Sequence, residues 1–229
     1  MAFMDRYEAG RFLADRLSRY ANRDDVVVLG LPRGGVPVAF EVAKFLRAPL
    51  DVFLVRKLGT PGHPELAMGA IASGGVRVLN NDTIDILGIS PSQIEAVVDR
   101  ESRELARRDA AYRNDRSMPR VRGRTVILVD DGLATGSTML AAVRALHTQQ
   151  PERLVVAVPV GAAETCEALG AAADEVVCGV AAEQFGAVGL WYEDFSETSD
   201  DEVRELLEAS SRRSAQGAGS NREANHVHH

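Results

Sequence analysis

Cysteine is nearly absent, with Cys166 and Cys178 the only two in 229 residues. Two thiols that far apart in sequence give neither a zinc-ligand spacing nor a disulfide framework, so they read as small core residues in a reducing compartment. No apolar run is long enough to cross a membrane, and the first residues (Asp5, Arg6 and Glu8 among them) lack the apolar stretch of a signal peptide. The expected location is the cytoplasm. Positive charge is in deficit, with 26 Lys and Arg against 33 Asp and Glu for a net charge of −7, which argues against a whole-protein footprint for nucleic acid. Internal repeats are missing too. What remains, 45% hydrophobic and 26% charged, is the composition of a soluble globular protein with room for one substantial α/β domain plus additions.

The organising stretch lies at residues 125–139. Val126, Ile127, Leu128 and Val129 form an apolar run without alternation, as a central parallel strand covered on both faces requires. Two carboxylates, Asp130 and Asp131, follow directly. After Gly132 and Leu133 come Ala134, Thr135, Gly136, Ser137 and Thr138, and helical spacing resumes from Met139. Unpaired N–H groups and hydroxyls at a helix N-terminus suit a phosphate monoester. Two acids beside an anion site make sense if the ligand also offers vicinal hydroxyls and a metal, so a ribose 5-phosphate fits. No Gly-Lys pair follows the spacers, which excludes a Walker loop.

A second strand–loop–helix unit precedes it. Residues 26–29 read as a strand, Arg33, Gly34 and Gly35 as a loop where backbone approaches a ligand, and about 38–47 as a helix. Residues 50–55 form the next strand, and the basic pair Arg56 and Lys57 opens a stretch punctuated by Gly59, Pro61, Gly62 and Pro64. That stretch suits a mobile cover over a polyanion, with residues 67–79 as a glycine-turned hairpin at its stem. Strand–helix alternation from residue 26 to 178 predicts a doubly wound parallel sheet with ligands at the carboxyl ends of its strands.

The order strand, Asp-Asp, spacers, Thr-Gly-Ser-Thr resembles the phosphoribosyl pyrophosphate (PRPP) motif of type I phosphoribosyltransferases. Arg33-Gly34-Gly35 resembles that family's pyrophosphate loop, and Arg56-Lys57 the basic start of its flexible catalytic loop. The resemblance runs from residue 26 to about 180. It implies a Rossmann-like α/β fold with a small hood and a flexible loop. It also implies transfer of the phosphoribosyl group of PRPP to a small nitrogenous acceptor, with Mg²⁺ held through PRPP by Asp130 and Asp131. In this reading Asp130, Asp131, Arg56 and Lys57 are the catalytic set, Ala134–Thr138 hold the 5′-phosphate, and Arg33, Gly34 and Gly35 hold pyrophosphate. Ala134 stands where relatives using hypoxanthine, guanine or xanthine carry an Asp, and a methyl group cannot serve as the acid/base for the purine ring.

Residues outside the motifs divide as follows. An amphipathic helix spans residues 3–20, and Ser90-Pro91 caps a long charged helix to about Arg113. The arginines at 100, 103, 107, 108, 113, 116, 120, 122 and 124 are the one basic concentration. Glu101, Glu104 and Asp109 interleave with them as local partners, and only Tyr112 among aromatics does. Phe185, Trp191 and Tyr192 lie in an aromatic stretch past the core, where the resemblance places a hood over the nucleobase. A last helix starts at Ser199 or Asp200, and from 211 the chain reads as a disordered tail or linker. The expected organisation is therefore one domain over 1–210, with its core at about 24–180 and a hood at 181–200 joined by the first helix, followed by the tail at 211–229. A homodimer is one assembly the resemblance allows. Two alternatives stay open: a sensor of PRPP or nucleotides with the same fold, binding RNA through residues 100–124, and a phosphoribosyl hydrolase that needs no acceptor.

Overall fold

The structure, a computed structural model, describes residues 2–113 and 117–224. Its strands are β1 (Val26–Gly30), β2 (Leu50–Val52), β3 (Val55–Thr60), β4 (His63–Ala72), β5 (Val76–Leu79), β6 (Thr125–Val129), β7 (Arg153–Ala162) and β8 (Glu175–Ala182). Its α-helices are α1 (Arg6–Arg16), α2 (Gly35–Leu46), α3 (Asn81–Leu87), α4 (Pro91–Arg113), α5 (Ser137–Thr148), α6 (Ala163–Leu169) and α7 (Asp200–Ala224). Five strands form a parallel sheet in the order β2-β1-β6-β7-β8, and β3, β4 and β5 form a small antiparallel sheet. The chain runs outward from β1 to β2, then returns to place β6 on the other side of β1, with Gly30 opposite Val129. The topological switch therefore lies between β1 and β6, where an open α/β sheet leaves a crevice at its carboxyl edge.

The apolar runs of β1 and β6 are buried at every position, because helices cover both faces. Leu13, Val38 and Val42 from α1 and α2 pack on Val28, Ile127 and Val155. On the opposite face Met139, Val143 and Leu146 of α5 pack on Val27, Leu128 and Val156. The doubly wound sheet expected from the alternation is thus the observed architecture.

Several local expectations change. The helix after the glycine pair starts at Gly35 rather than near 38. Residues 56–65, expected as a mobile loop, are largely strand: β3 pairs with β4 from Val55–Ala72 to Thr60–His63, with Pro61-Gly62 at the tip and Gly59 and Pro64 at the irregular part of the ladder. Burial explains this, since Leu58, Met68 and Ile71 form a core with Ile94 and Val97 of α4. Residues 81–87, unassigned from sequence, are α3, capped by the Asn80 side chain on the Thr83 N–H.

The expected disorder from residue 211 also gives way, because α7 continues to Ala224. Val203 and Leu207 dock it beside Val36, Leu54 and Tyr112, and an anchored helix extends at one backbone hydrogen bond per added residue. Residues 225–229 of the predicted tail, and Arg116 of the basic run, lie outside the described residues.

The candidate phosphoribosyl site

Asp130 and Asp131 leave the end of β6 directly at the switch point. Asp130 Oδ1 accepts from the Asp131 N–H at 2.9 Å, while burial and then the neighbouring Asp131 charge push its carboxyl well above the usual carboxylate range. Asp131 is likewise raised by burial, against a pull from Arg6, whose Nε donates to Oδ2 at 2.8 Å. Arg6 sits in the first turn of α1, donates again to the Ser196 carbonyl at 2.7 Å, and lies 4.0 Å from the Phe195 ring centroid. Tyr192 Oη donates to the Asp131 carbonyl at 2.5 Å, and burial followed by the Asp131 charge drives its phenol up.

The glycine pair closes onto these acids. A Cβ on Gly34 would stand 2.0 Å from Asp131 Oδ2, and one on Gly35 would stand 2.8 Å from the Val129 carbonyl and 2.9 Å from Asp130 Oδ1. Only glycine lets the loop approach this closely. The loop begins with a cis peptide between Pro32 and Arg33. Arg33 is directed at an acidic segment, pairing with Glu197 and lying 3.7 Å from Asp200.

Across the crevice, Leu133 bridges to Gly161 and leads into an exposed turn of Ala134 and Thr135. Gly136 takes the left-handed conformation at φ 69°, and no side chain among the described residues caps α5, so its first N–H groups face outward. Thr165 Oγ1 fixes the turn by donating to the Ala134 carbonyl at 2.8 Å, and the Thr135 and Ser137 hydroxyls lie 3.4 Å apart. Uncapped N–H groups, flanking hydroxyls and the positive end of a twelve-residue helix can hold a phosphate.

The basic pair splits because consecutive strand residues face opposite ways. Arg56 turns to α4, donating to Glu101 Oε2 at 2.9 and 2.6 Å, and borders a small cleft of about 30 Å³ beside Pro32 and Thr138. Burial opposes the Glu101 charge, but Arg56 and Arg100 outweigh it and hold the carboxyl below its usual range. Lys57 instead lines a cavity of about 240 Å³ between the small sheet and α5, with Ser137, Thr138 and Arg144 on the facing wall. The fold thus places Lys57 in the lining of the cavity beside α5 and commits Arg56 to α4 behind it.

The three aromatics expected over a base are turned to one another and to the scaffold. Phe185 and Trp191 stack with centroids 5.9 Å apart, and Trp191 Nε1 donates to the Phe185 carbonyl. Tyr192 is buried against Phe3. In the basic run, Arg107 and Arg108 pair with Glu104, and buried Arg113 pairs with Asp51 and Asp109. Sequence reasoning missed Arg6, Glu197 and Asp200, none of which belongs to a motif. The adjacent pair of acids was legible, but not their burial, which raises both. Among the described residues no group of three or more His, Cys, Asp or Glu is placed to hold a metal.

Comparison with known proteins gives the family of the chain. The family model described as "Phosphoribosyl transferase domain" matches residues 3–188. Two Mycobacterium tuberculosis proteins, "Putative phosphoribosyl transferase Rv0571c" and its counterpart MT0597 from another strain, are each 48% identical over 210 residues. That covers 92% of this chain and 47% of theirs, so the chain spans about half the length of these relatives. The crystal structure of TT1426 from Thermus thermophilus is 45% identical, superimposes with a TM-score of 0.82, and is matched over 90% of this chain and 98% of that one. The chain belongs to the phosphoribosyl transferase domain family.

Proposed function

We propose that the chain is a Mg²⁺-dependent phosphoribosyltransferase that moves the 5-phosphoribosyl group of PRPP to a nitrogen acceptor and releases pyrophosphate. The observation that carries this reading is the convergence of three groups on one crevice. The Gly34-Gly35 backbone, the Asp130-Asp131 carboxylates and the uncapped start of α5 all stand at the switch point.

In this reading the Ala134–Thr138 turn anchors the 5′-phosphate, and Asp130 and Asp131 accept from the ribose hydroxyls. The approach of Gly34 and Gly35 leaves their backbone free to meet the diphosphate, and Arg33 exchanges Glu197 for it. Such an anchor holds C1 in line for attack by the acceptor nitrogen as the C1–O bond to diphosphate breaks. Beside the acids, Val188 fills the space a Gly132 side chain would need. Ala134 leaves no carboxylate to serve a 6-oxopurine, which directs the search to other nitrogen acceptors.

The acidic pair fits a hard cation. Two carboxylates share one backbone donor and one guanidinium, and both are raised by their surroundings, so bound positive charge would relieve them. Mg²⁺ held by Asp130, Asp131 and PRPP oxygens would supply charge to the departing diphosphate.

The test is pyrophosphate release from PRPP and Mg²⁺ across purine, pyrimidine and small amine acceptors, with a no-acceptor control and Asp131→Asn. Release that depends on one acceptor and collapses in the variant is the expected result. Release without acceptor would replace transfer by hydrolysis, and PRPP binding without release would replace catalysis by sensing.

A further inference from the structure

The fold brings together two thiols that lie 12 positions apart in the chain. The chain leaves β7, turns through α6 and returns as β8 beside β7, with Cys178 opposite Val158. This places Cys166 Sγ on α6 only 2.8 Å from Cys178 Sγ on β8. Both are free thiols. Both cysteines do sit in the core, as their sequence context predicts, and the βαβ crossover additionally brings their sulfurs together.

The surroundings keep this contact open to chemistry. Gly161 makes room for it, since a Cβ there would lie 2.6 Å from Cys166 Sγ and 3.3 Å from Cys178 Sγ. Cys178 lies on the edge strand and is partly exposed, so a small solute can reach the pair. The two sulfurs are also unequal. The hydrogen bond with Cys178 holds the Cys166 thiol below its usual range against the effect of burial, while the same contact and burial push Cys178 up. One sulfur is thus the better thiolate and its partner keeps the proton.

We infer that Cys166 and Cys178 form a reversible oxidation site, a dithiol that a hydroperoxide converts to an intrachain disulfide. The Cys166 thiolate attacks one peroxide oxygen, the O–O bond breaks, and a sulfenic acid and hydroxide result. Cys178 sulfur then attacks the sulfenic sulfur, the S–O bond breaks, and the Cys178 proton with the leaving hydroxyl gives water. In total two thiols are oxidised and one hydroperoxide is reduced. The cross-link would tie α6 to β8 one residue from Thr165, the side chain that holds the phosphate turn at Ala134. It does not depend on the reaction assigned to the neighbouring crevice.

The experiment exposes the full folded chain to hydrogen peroxide, with Cys166→Ser and Cys178→Ser alongside. The wild type is expected to lose about 2 Da, to yield a peptide linking 166 to 178, and to recover both thiols with dithiothreitol. Its melting temperature should rise by about 5–10 °C on oxidation, because a short loop of chain is closed in the unfolded state. In Cys178→Ser the Cys166 sulfenic acid should persist long enough for trapping by dimedone, with no rise in melting temperature. Cys166→Ser should form no cross-link. Three results would overturn the inference. These are dimedone trapping or sulfinic acid on wild-type Cys166 without a cross-link, both thiols inert while folded yet reactive in urea, or a cross-linked protein that melts no higher than the reduced one.

Discussion

Replacing Gly34 by alanine adds one methyl group at the point where the loop meets Asp131. Gly34 has φ −59° and ψ −32°, a conformation alanine adopts freely, so the backbone itself raises no objection. In isolation the change would favour folding by about 0.4–1 kcal/mol, because alanine restricts the unfolded chain. The environment reverses that sign. The new Cβ would lie 2.0 Å from Asp131 Oδ2 and 2.8 Å from its Cγ, so the carboxylate must leave, and its 2.8 Å bond to Arg6 goes with it. Overpacking of this kind costs about 1–3 kcal/mol, and a partly buried ion pair is broken besides. A net loss of about 2 kcal/mol corresponds to a melting temperature lower by about 4–8 °C for a chain of this length. The decisive assay is a double-mutant cycle. In an Asp131→Ala background the two nearest obstacles vanish, leaving the movable end of Arg6 at 3.1 Å, so Gly34→Ala should there be neutral or slightly stabilising. Equal melting losses in both backgrounds, or no loss in the wild type, would refute the close approach on which the pyrophosphate-loop assignment stands.

Other perturbations follow from the same contacts. Asp130→Asn keeps the acceptor for the Asp131 N–H but removes a charge disfavoured by burial and by Asp131, so the ligand-free protein should melt about 2–6 °C higher at pH 8. A raised carboxyl is neutral when the pH falls below its folded pKa, so this gain should disappear in acid; a gain that persists there would count against the assignment. Arg56→Ala leaves Glu101 buried with only Arg100, and denaturant titration should show a loss of about 2–4 kcal/mol, mostly restored by adding Glu101→Gln. The acid limb of stability has the opposite sign to Asp130: Asp25, held at about 2 by its hydrogen bonds to Arg23, and Glu104, held at about 2 by those to Arg107 and Arg108, stabilise the fold fully above about pH 5. That contribution should fade as pH drops toward 2, and Glu104→Gln should make melting curves less steep in pH over this window.

Residues whose role depends on local pattern were legible from sequence. The unalternating runs of β1 and β6 announced a sheet covered on both faces, and Asp-Asp before Thr-Gly-Ser-Thr marked the strand end and helix start that the structure places at the crevice. Ser90 was legible as a helix cap, and the start of the last helix was legible to within one residue (Ser199 or Asp200), with Ser199 accepting from the Glu202 N–H, since capping is a matter of three or four residues. Contacts between distant segments were not legible. Arg6 reaches Asp131 across 125 positions, and no spacing rule connects them. The stretch 56–65 reads as a loop because glycine and proline usually signal loops, whereas here burial of Leu58 beneath α4 holds a bulged strand. The aromatic stretch past the core was visible in sequence, but sequence could not say that Phe185 and Trp191 would stack on one another.

The clasp between the first residues and residues 191–196 bears on how the crevice comes into being. Phe3 donates to the Trp191 carbonyl and accepts from the Glu193 N–H, Met4 accepts from the Asp194 N–H, and Arg6 joins Asp131 to Ser196. The sheet can form from β1, β6 and β7 with nearer neighbours in the chain, but this clasp closes a loop of nearly the whole domain. Contacts of such separation are late rewards in folding, and they are held by few hydrogen bonds. A chain whose sheet is complete but whose ends are unclasped would have Asp131 without its arginine and an open wall beside it. Partial opening at the ends would thus empty the crevice long before the core melts, and hydrogen exchange at Phe3, Glu193 and Asp194 would report occupancy of a site none of those residues touches.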